Sequence, residues 1–287
     1  MKEALFYLQE TNGLRCTLCP HYCLIKEAHS GICGSRVNKG GKLWSMVYGH
    51  PCALAVDPIE KKPLLHFHPG SKCLSLACTG CNLHCLNCQN FTISQALPGD
   101  VSTKLWSPGD LVNICLENHI PGIAYTYTEP LTWYEYTYDI ARHAHQAGLW
   151  NILVSAGYIN PVPLRMLLPY IDAANIDLKS FNNDLYKKIN GATLQPVLNT
   201  LIMLKDSGIH LEITNLLIPN INCDELLIKK MCYWLVEHGF ADTPLHFTRF
   251  FPTYKMEDNI PTPLKYMKRA QQIAQEAGIH YVHLGNI

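Results

Sequence analysis

Cys81-Asn-Leu-His-Cys85-Leu-Asn-Cys88 is the stretch that decides the reading, because it puts three thiols in one short loop directly after the apolar run Leu74–Ala77. Thiolates are the preferred protein ligands of iron–sulfur clusters, and a four-iron cube asks for four of them. Three from one loop leave one iron without a protein ligand, and an open coordination site is where metal chemistry takes place. A zinc knuckle is the plain alternative. Zinc sites usually show two Cys-x2–4-Cys pairs or add histidines, so closing this loop on zinc needs a fourth ligand such as Cys78 or His84. Cys78 stays open as a competitor, since Cys78-x2-Cys81-x3-Cys85 is also a regular run.

Working outward, the first sixty-odd residues are poor in helical or strand periodicity and carry a second group of thiols. These are Cys16-x2-Cys19-Pro-His-Tyr-Cys23, followed by Cys33 within Gly31-Ile-Cys-Gly34. Four thiols so close together suit a tetrahedral zinc site or a second four-iron cluster, with His21 as a spare ligand. The spacing does not choose between the two metals. A segment with so little periodic structure gains much of its local order from such a centre.

From about Lys72 onward, short apolar runs alternate with longer amphipathic ones, the pattern of parallel βαβ construction. Candidate strands are Cys73–Ala77, Gly122–Thr126, Asn151–Ser155, Ala173–Leu178, Leu211–Leu217 and Leu245–Phe251, with Tyr281–Leu284 a possible seventh. Helices are expected over Trp133–Gln146, Gln195–Asp206, Asp224–His238 and Pro263–Ala277, with Asp224 as an N-cap. Six βα units fit the length better than the eight of a full barrel, which typically needs about 250 residues. The expected architecture is α/β: a small cysteine-rich segment over 1–68, then a partial (β/α)6 barrel over 69–287.

Composition narrows the function classes. The chain has 287 residues, 48% of them hydrophobic, and zero formal net charge, so nothing argues for nucleic acid or an anionic membrane. No stretch is apolar for long enough to span a bilayer, and the N-terminus lacks a signal-peptide core. Thirteen cysteines without an export signal fit a reducing cytoplasm, where thiols are metal ligands rather than disulfides. Cys52, Cys73, Cys115, Cys223 and Cys232 fit core or incidental thiols. His66 and His68, flanking Phe67, fit a polar surface turn better than a ligand pair.

In α/β barrels the loops at the C-terminal strand ends build the active site. Polar residues recur there: Tyr125-Thr-Tyr-Thr-Glu129-Pro130, Ser155-Ala-Gly157-Tyr158, Asp177-Leu-Lys179, Glu212 with Pro219-Asn-Ile-Asn222, and Arg249-Phe-Phe-Pro252. Each has a bland reading as a turn or surface pair. Their recurrence at successive strand ends favours a site.

These residues resemble a known family over nearly the whole chain. The Cys81–Cys88 loop followed by Gln89-Asn90, the preceding Asp57-Pro-Ile-Glu-Lys-Lys-Pro-Leu64, and the Cys-x2-Cys-Pro-His opening look like the radical S-adenosylmethionine (SAM) enzymes of the AmmeMemoRadiSam system. Those are relatives of the pyruvate formate-lyase-activating enzymes. The resemblance implies an oxidoreductase of oxygen-poor cells with a [4Fe-4S] cluster on Cys81, Cys85 and Cys88. SAM is cleaved reductively to methionine and a 5′-deoxyadenosyl radical, which abstracts hydrogen from a substrate the sequence does not identify. By position it implies Glu129 at the SAM amino group, Asp177 and Lys179 at its carboxylate or ribose, and Ser155 and Gly157 at a close backbone approach. Arg249 follows as a substrate or SAM contact. Partners implied are a reducing donor such as flavodoxin or ferredoxin and a possible protein substrate. Two positions depart from the family pattern: Asn87 stands where an aromatic is usual before the third cysteine, and Ala156 where relatives often have Asn. Two other functions stay in view, a glycyl-radical-enzyme activating enzyme and a non-catalytic iron–sulfur redox carrier.

Overall fold

The computed structural model describes residues 1–287 and organises them around one eight-stranded sheet. Its strands are β1 (Ala53–Pro58), β2 (Lys72–Ala77), β3 (Gly122–Tyr125), β4 (Trp150–Ser155), β5 (Ala173–Asp177), β6 (His210–Leu217), β7 (Leu245–Arg249) and β8 (Val282–Gly285). They lie side by side in chain order. β1 is antiparallel to β2, and every other neighbouring pair is parallel. The crossovers are α1 (Pro108–Glu117), α2 (Tyr134–Gln146), α3 (Pro161–Leu167), α4 (Leu194–Asp206), α5 (Glu225–Glu237) and α6 (Leu264–Glu276). The six expected βα units are present, and the seventh parallel strand is real, pairing Leu245 with Val282 through Thr248 with Gly285. Sequential strand order with right-handed crossovers puts all the helices on one face, which makes a partial barrel rather than a doubly wound sheet.

Local sequence accounts for the elements. All four residues of β3 are buried, as a strand covered on both faces requires. Ser107 and Asp110 form a reciprocal capping box at the start of α1, with Pro108 in the first turn. Asp224 caps α5 by accepting from Leu227 N at 3.0 Å. Gly148 and Gly208 end α2 and α4 at φ of +73° and +77°, where a side chain is strained.

The expected segment over 1–68 does not stay apart from the barrel. β1 is the sheet's edge strand, pairing Asp57 with Cys73, and residues 59 to 66 then fold under the sheet. Ile59 and Leu64 pack there on Cys73, Ala124, Ile152 and Ala173 as an apolar plug. Asp57 holds the plug at one side through Lys61 at 2.8 Å and the buried Lys62 at 2.7 Å, and Tyr127 donates its hydroxyl to the same carboxylate. Ahead of β1, two small antiparallel sheets carry the rest: Tyr7–Glu10 with Gly13–Cys16 and Leu24–Ile25, and Lys2–Glu3 with Lys42–Ser45 and Arg36–Lys39. Each strand is four residues or fewer, too short for a legible alternation.

Glu212 was expected among the site-facing residues, yet it sits near the start of β6, at the opposite end of the barrel. It is fully buried and accepts from His210 at 2.9 Å, His246 at 2.6 Å, Leu65 N at 3.1 Å and His66 N at 2.8 Å. Burial alone pushes its carboxyl up, but these hydrogen bonds outweigh that and hold it well below the usual carboxylate range. A depressed carboxylate contributes stability above its unfolded value, near pH 4, and loses it as pH falls through the folded value. Glu212→Gln is therefore expected to lower stability at pH 7 and to flatten its decline below about pH 4. Urea midpoints measured across that range check it.

Candidate active site

The C-terminal ends of β2 to β6 gather most of the residues singled out above. The Cys81–Cys88 loop leaves β2 and is tied down across the mouth. His84 N and Leu86 N donate to Asn190 O and Ile189 O at 2.9 Å each, and Asn82 Nδ2 donates to Tyr158 O at 2.8 Å. Each sulfur has a polar neighbour of its own. Cys81 Sγ accepts from Leu83 N at 3.3 Å, Cys85 Sγ accepts from Asn190 Nδ2 at 3.2 Å, and Cys88 Sγ lies 3.1 Å from Ser94 Oγ. Burial pushes the Cys81 and Cys85 thiols up, Glu129 adding to the first and Lys179 opposing the second.

The competing ligands are accounted for. Cys78 is fully buried and directs its thiol to Val47 O, away from the loop. His84 is exposed and hydrogen-bonded to Gln95 at 2.7 Å. Nowhere do three His, Cys, Asp or Glu side chains converge on a point as they would around a single ion. A cube places each thiolate on a different iron, so three thiols from one loop with no fourth ligating side chain fit a [4Fe-4S] cluster with one open corner.

Beside the loop lies a buried carboxylate. Glu129 is 2% exposed and accepts from Ser155 Oγ at 2.7 Å, Ala156 N at 2.8 Å and Leu131 N at 3.1 Å. It has no ion-pair partner, and burial raises its carboxyl despite those hydrogen bonds. Across the mouth, Lys179 Nζ is 3.0 Å from Asp177. Burial opposes its charge, but the Asp177 carboxylate and the Cys85 sulfur outweigh that and hold the ammonium above its ordinary value. Lys179 and Asp177 line a pocket with Asn87, Leu216 and Asn222. The Asn87 Oδ1 there is buried and has no hydrogen-bond partner.

Two expected residues carry structural constraints of their own. Gly157 has φ +66°, and a Cβ there would come within 3.1 Å of Ile176 and 3.2 Å of Thr200. Backbone conformation and packing therefore already demand glycine at this position. Arg249 ends β7, but its Nε donates to Thr262 O at 2.8 Å and its guanidinium lies over Phe251. No hydrogen bond or ion pair joins it to Glu129, Asp177 or Lys179. Asn190 and Ser94, which touch the sulfurs, were not legible in advance: they stand in a short irregular turn and a four-residue helix with no motif of their own.

Comparison with known proteins agrees with this geometry. Residues 76–228 match the model of the Radical SAM superfamily, and the chain belongs to it. It is 44% identical to an uncharacterized protein of Methanocaldococcus jannaschii over all of this chain and 86% of that one. It is 24% identical to the (2S)-3-sulfopropanediol dehydratase activating enzyme of Klebsiella oxytoca, over 80% of this chain and 78% of the relative. Among solved structures it is similar to Streptococcus suis SuiB bound to its precursor peptide SuiA, at TM-score 0.58 and 14% identity, covering 79% of this chain and 51% of that one. A [4Fe-4S] cluster and SAM are the cofactors that go with the superfamily. No helix is long and apolar enough to cross a membrane.

Proposed function

We propose that this chain is a radical SAM enzyme of the AmmeMemoRadiSam type, with Cys81, Cys85 and Cys88 holding the cluster and SAM bound in the mouth beside them. The single observation that carries this reading is Glu129: a buried carboxylate without a cation of its own, next to a three-thiol loop with no fourth ligand. Reductive cleavage of SAM to methionine and a 5′-deoxyadenosyl radical is the chemistry the cofactor pair supplies when bound. The chain's residues bind and orient. Glu129 accepts the SAM ammonium, held in place by Ser155 and the Ala156 N–H. Lys179, oriented by Asp177, meets the carboxylate. Asn87 presents its unpaired amide oxygen to a polar edge of the nucleoside, replacing stacking with a hydrogen bond. The plug under the sheet closes the opposite end of the barrel against water.

Reduction calls for a low-potential donor of the flavodoxin or ferredoxin kind. A second reading, installation of a glycyl radical on a partner protein, draws on the similarity to an activating enzyme. A purely electron-carrying protein needs neither the Glu129–Ser155 pair nor the Asp177–Lys179 pair.

Glu129→Gln keeps the shape and removes the charge. A charge-assisted hydrogen bond contributes about 1.5–3 kcal/mol, so SAM affinity is expected to fall about ten- to a hundredfold. Anaerobic calorimetry on the cluster-loaded protein measures it. Unchanged affinity with an intact cluster removes Glu129 from the SAM site.

A further inference from the structure

The four cysteines of the N-terminal segment are not used by the site above, and the fold brings them to one place. Cys16, Cys19, Cys23 and Cys33 all line a single small pocket together with Leu18, His21, Ile25, Arg36 and Asn82. None is in a disulfide. Cys16 ends the strand Gly13–Cys16, Cys19 and Cys23 lie on the turn that follows, and Cys33 lies in the loop before Arg36–Lys39. Four sulfurs packed like this repel once ionised, and a multivalent cationic centre between them removes that repulsion.

A second observation points to a sulfur-rich occupant. Arg36 lines the same cavity at 1% exposure, and its Nε is buried with no hydrogen-bond partner. Its Nη1 is engaged by Glu135 at 3.1 Å. A buried N–H with no acceptor is costly unless something absent from the protein accepts from it, and cluster sulfides and cysteine sulfurs are such acceptors. His21, the spare ligand, has its Nε2 2.7 Å from Asn82 O, and its Nδ1 carries no such bond.

Between zinc and iron, the arrangement favours iron. A tetrahedral zinc ion with bonds near 2.3 Å draws its sulfurs to within about 3.8 Å of one another. Here the four cysteines line one pocket, yet no three ligating side chains converge on one point. We infer that Cys16, Cys19, Cys23 and Cys33 bind a second, fully cysteine-ligated [4Fe-4S] cluster, with Arg36 as its buried hydrogen-bond donor. This centre backs onto the SAM-site loop. Asn82 lies between Cys81 and Cys85 yet lines this cavity, and a Cβ on Gly80 would come within 2.4 Å of Cys33 O. The two centres therefore adjoin the same loop.

The test is metal analysis of the full chain, reconstituted anaerobically with iron and sulfide and desalted. Wild type is expected to hold about eight irons and eight sulfides, and the Cys81→Ala/Cys85→Ala/Cys88→Ala variant about four of each. That variant is also expected to show the Mössbauer signature of a fully thiolate-ligated cube. Cys19→Ala/Cys23→Ala is expected to retain about four irons and SAM binding. An iron-free triple variant overturns the proposal, and one zinc per chain in that variant overturns the choice of metal. If the triple variant keeps all the iron of the wild type, it is the SAM-cluster assignment that fails, and the two readings are thereby told apart.

Discussion

Cys85→Ala is expected to reduce 5′-deoxyadenosine formation from SAM and dithionite to the background of the assay. The substitution removes the middle thiol of the three-cysteine loop and leaves Asn190 Nδ2 with no sulfur to donate to. Cys78 does not stand in for it, because its thiol is buried in the core and directed to Val47 O. A cube held by two thiolates next to an already open corner lacks the ligation that keeps its irons together. Quantifying the nucleoside by chromatography, alongside iron and sulfide, separates loss of the cluster from loss of SAM binding. Wild-type turnover by the reconstituted variant would refute the assignment of this loop.

The second large effect concerns stability. Arg36 and Glu135 are each 1% exposed and meet at 3.1 Å, and Glu135 also accepts from Leu5 N at 2.8 Å. Arg36 in turn donates to Leu5 O. This buried pair joins the N-terminal segment to α2. Removing one partner strands the other charge in a place water does not reach, a loss of about 3–5 kcal/mol. Glu135→Ala is accordingly expected to shift the urea midpoint far more than Glu225→Ala, whose exposed pairing with Arg269 is screened by solvent. The double change Arg36→Met/Glu135→Met is expected to recover most of the loss, since apolar replacements of similar volume leave no charge uncompensated. Equal midpoints for Glu135→Ala and Glu225→Ala would show that the pair does not anchor the segment.

Asp57 illustrates how a motif can be legible without its job being so. The run Asp57-Pro-Ile-Glu-Lys-Lys-Pro63 stood out in the sequence as part of a family resemblance. Its residues clamp an edge strand and a plug beneath the sheet, through contacts to Lys62 and to Tyr127 seventy positions away. Nothing local to the run announces Tyr127 as a partner.

The sequence by itself settled the βα alternation, most helix limits and the three-thiol loop, because each rests on short-range rules: periodicity, capping residues and ligand spacing. Asp224 as a cap and the close spacing of Cys81, Cys85 and Cys88 are readable for that reason. Only the tertiary structure decided that β1 belongs to the sheet, that Glu212 faces the closed end of the barrel, and that Arg249 is occupied by Thr262. It also decided that Cys16, Cys19, Cys23 and Cys33 share one cavity with a buried arginine. These are long-range facts. Which end of a strand a side chain occupies, and which distant group meets it, depends on chain closure over dozens of residues, and no local pattern records it.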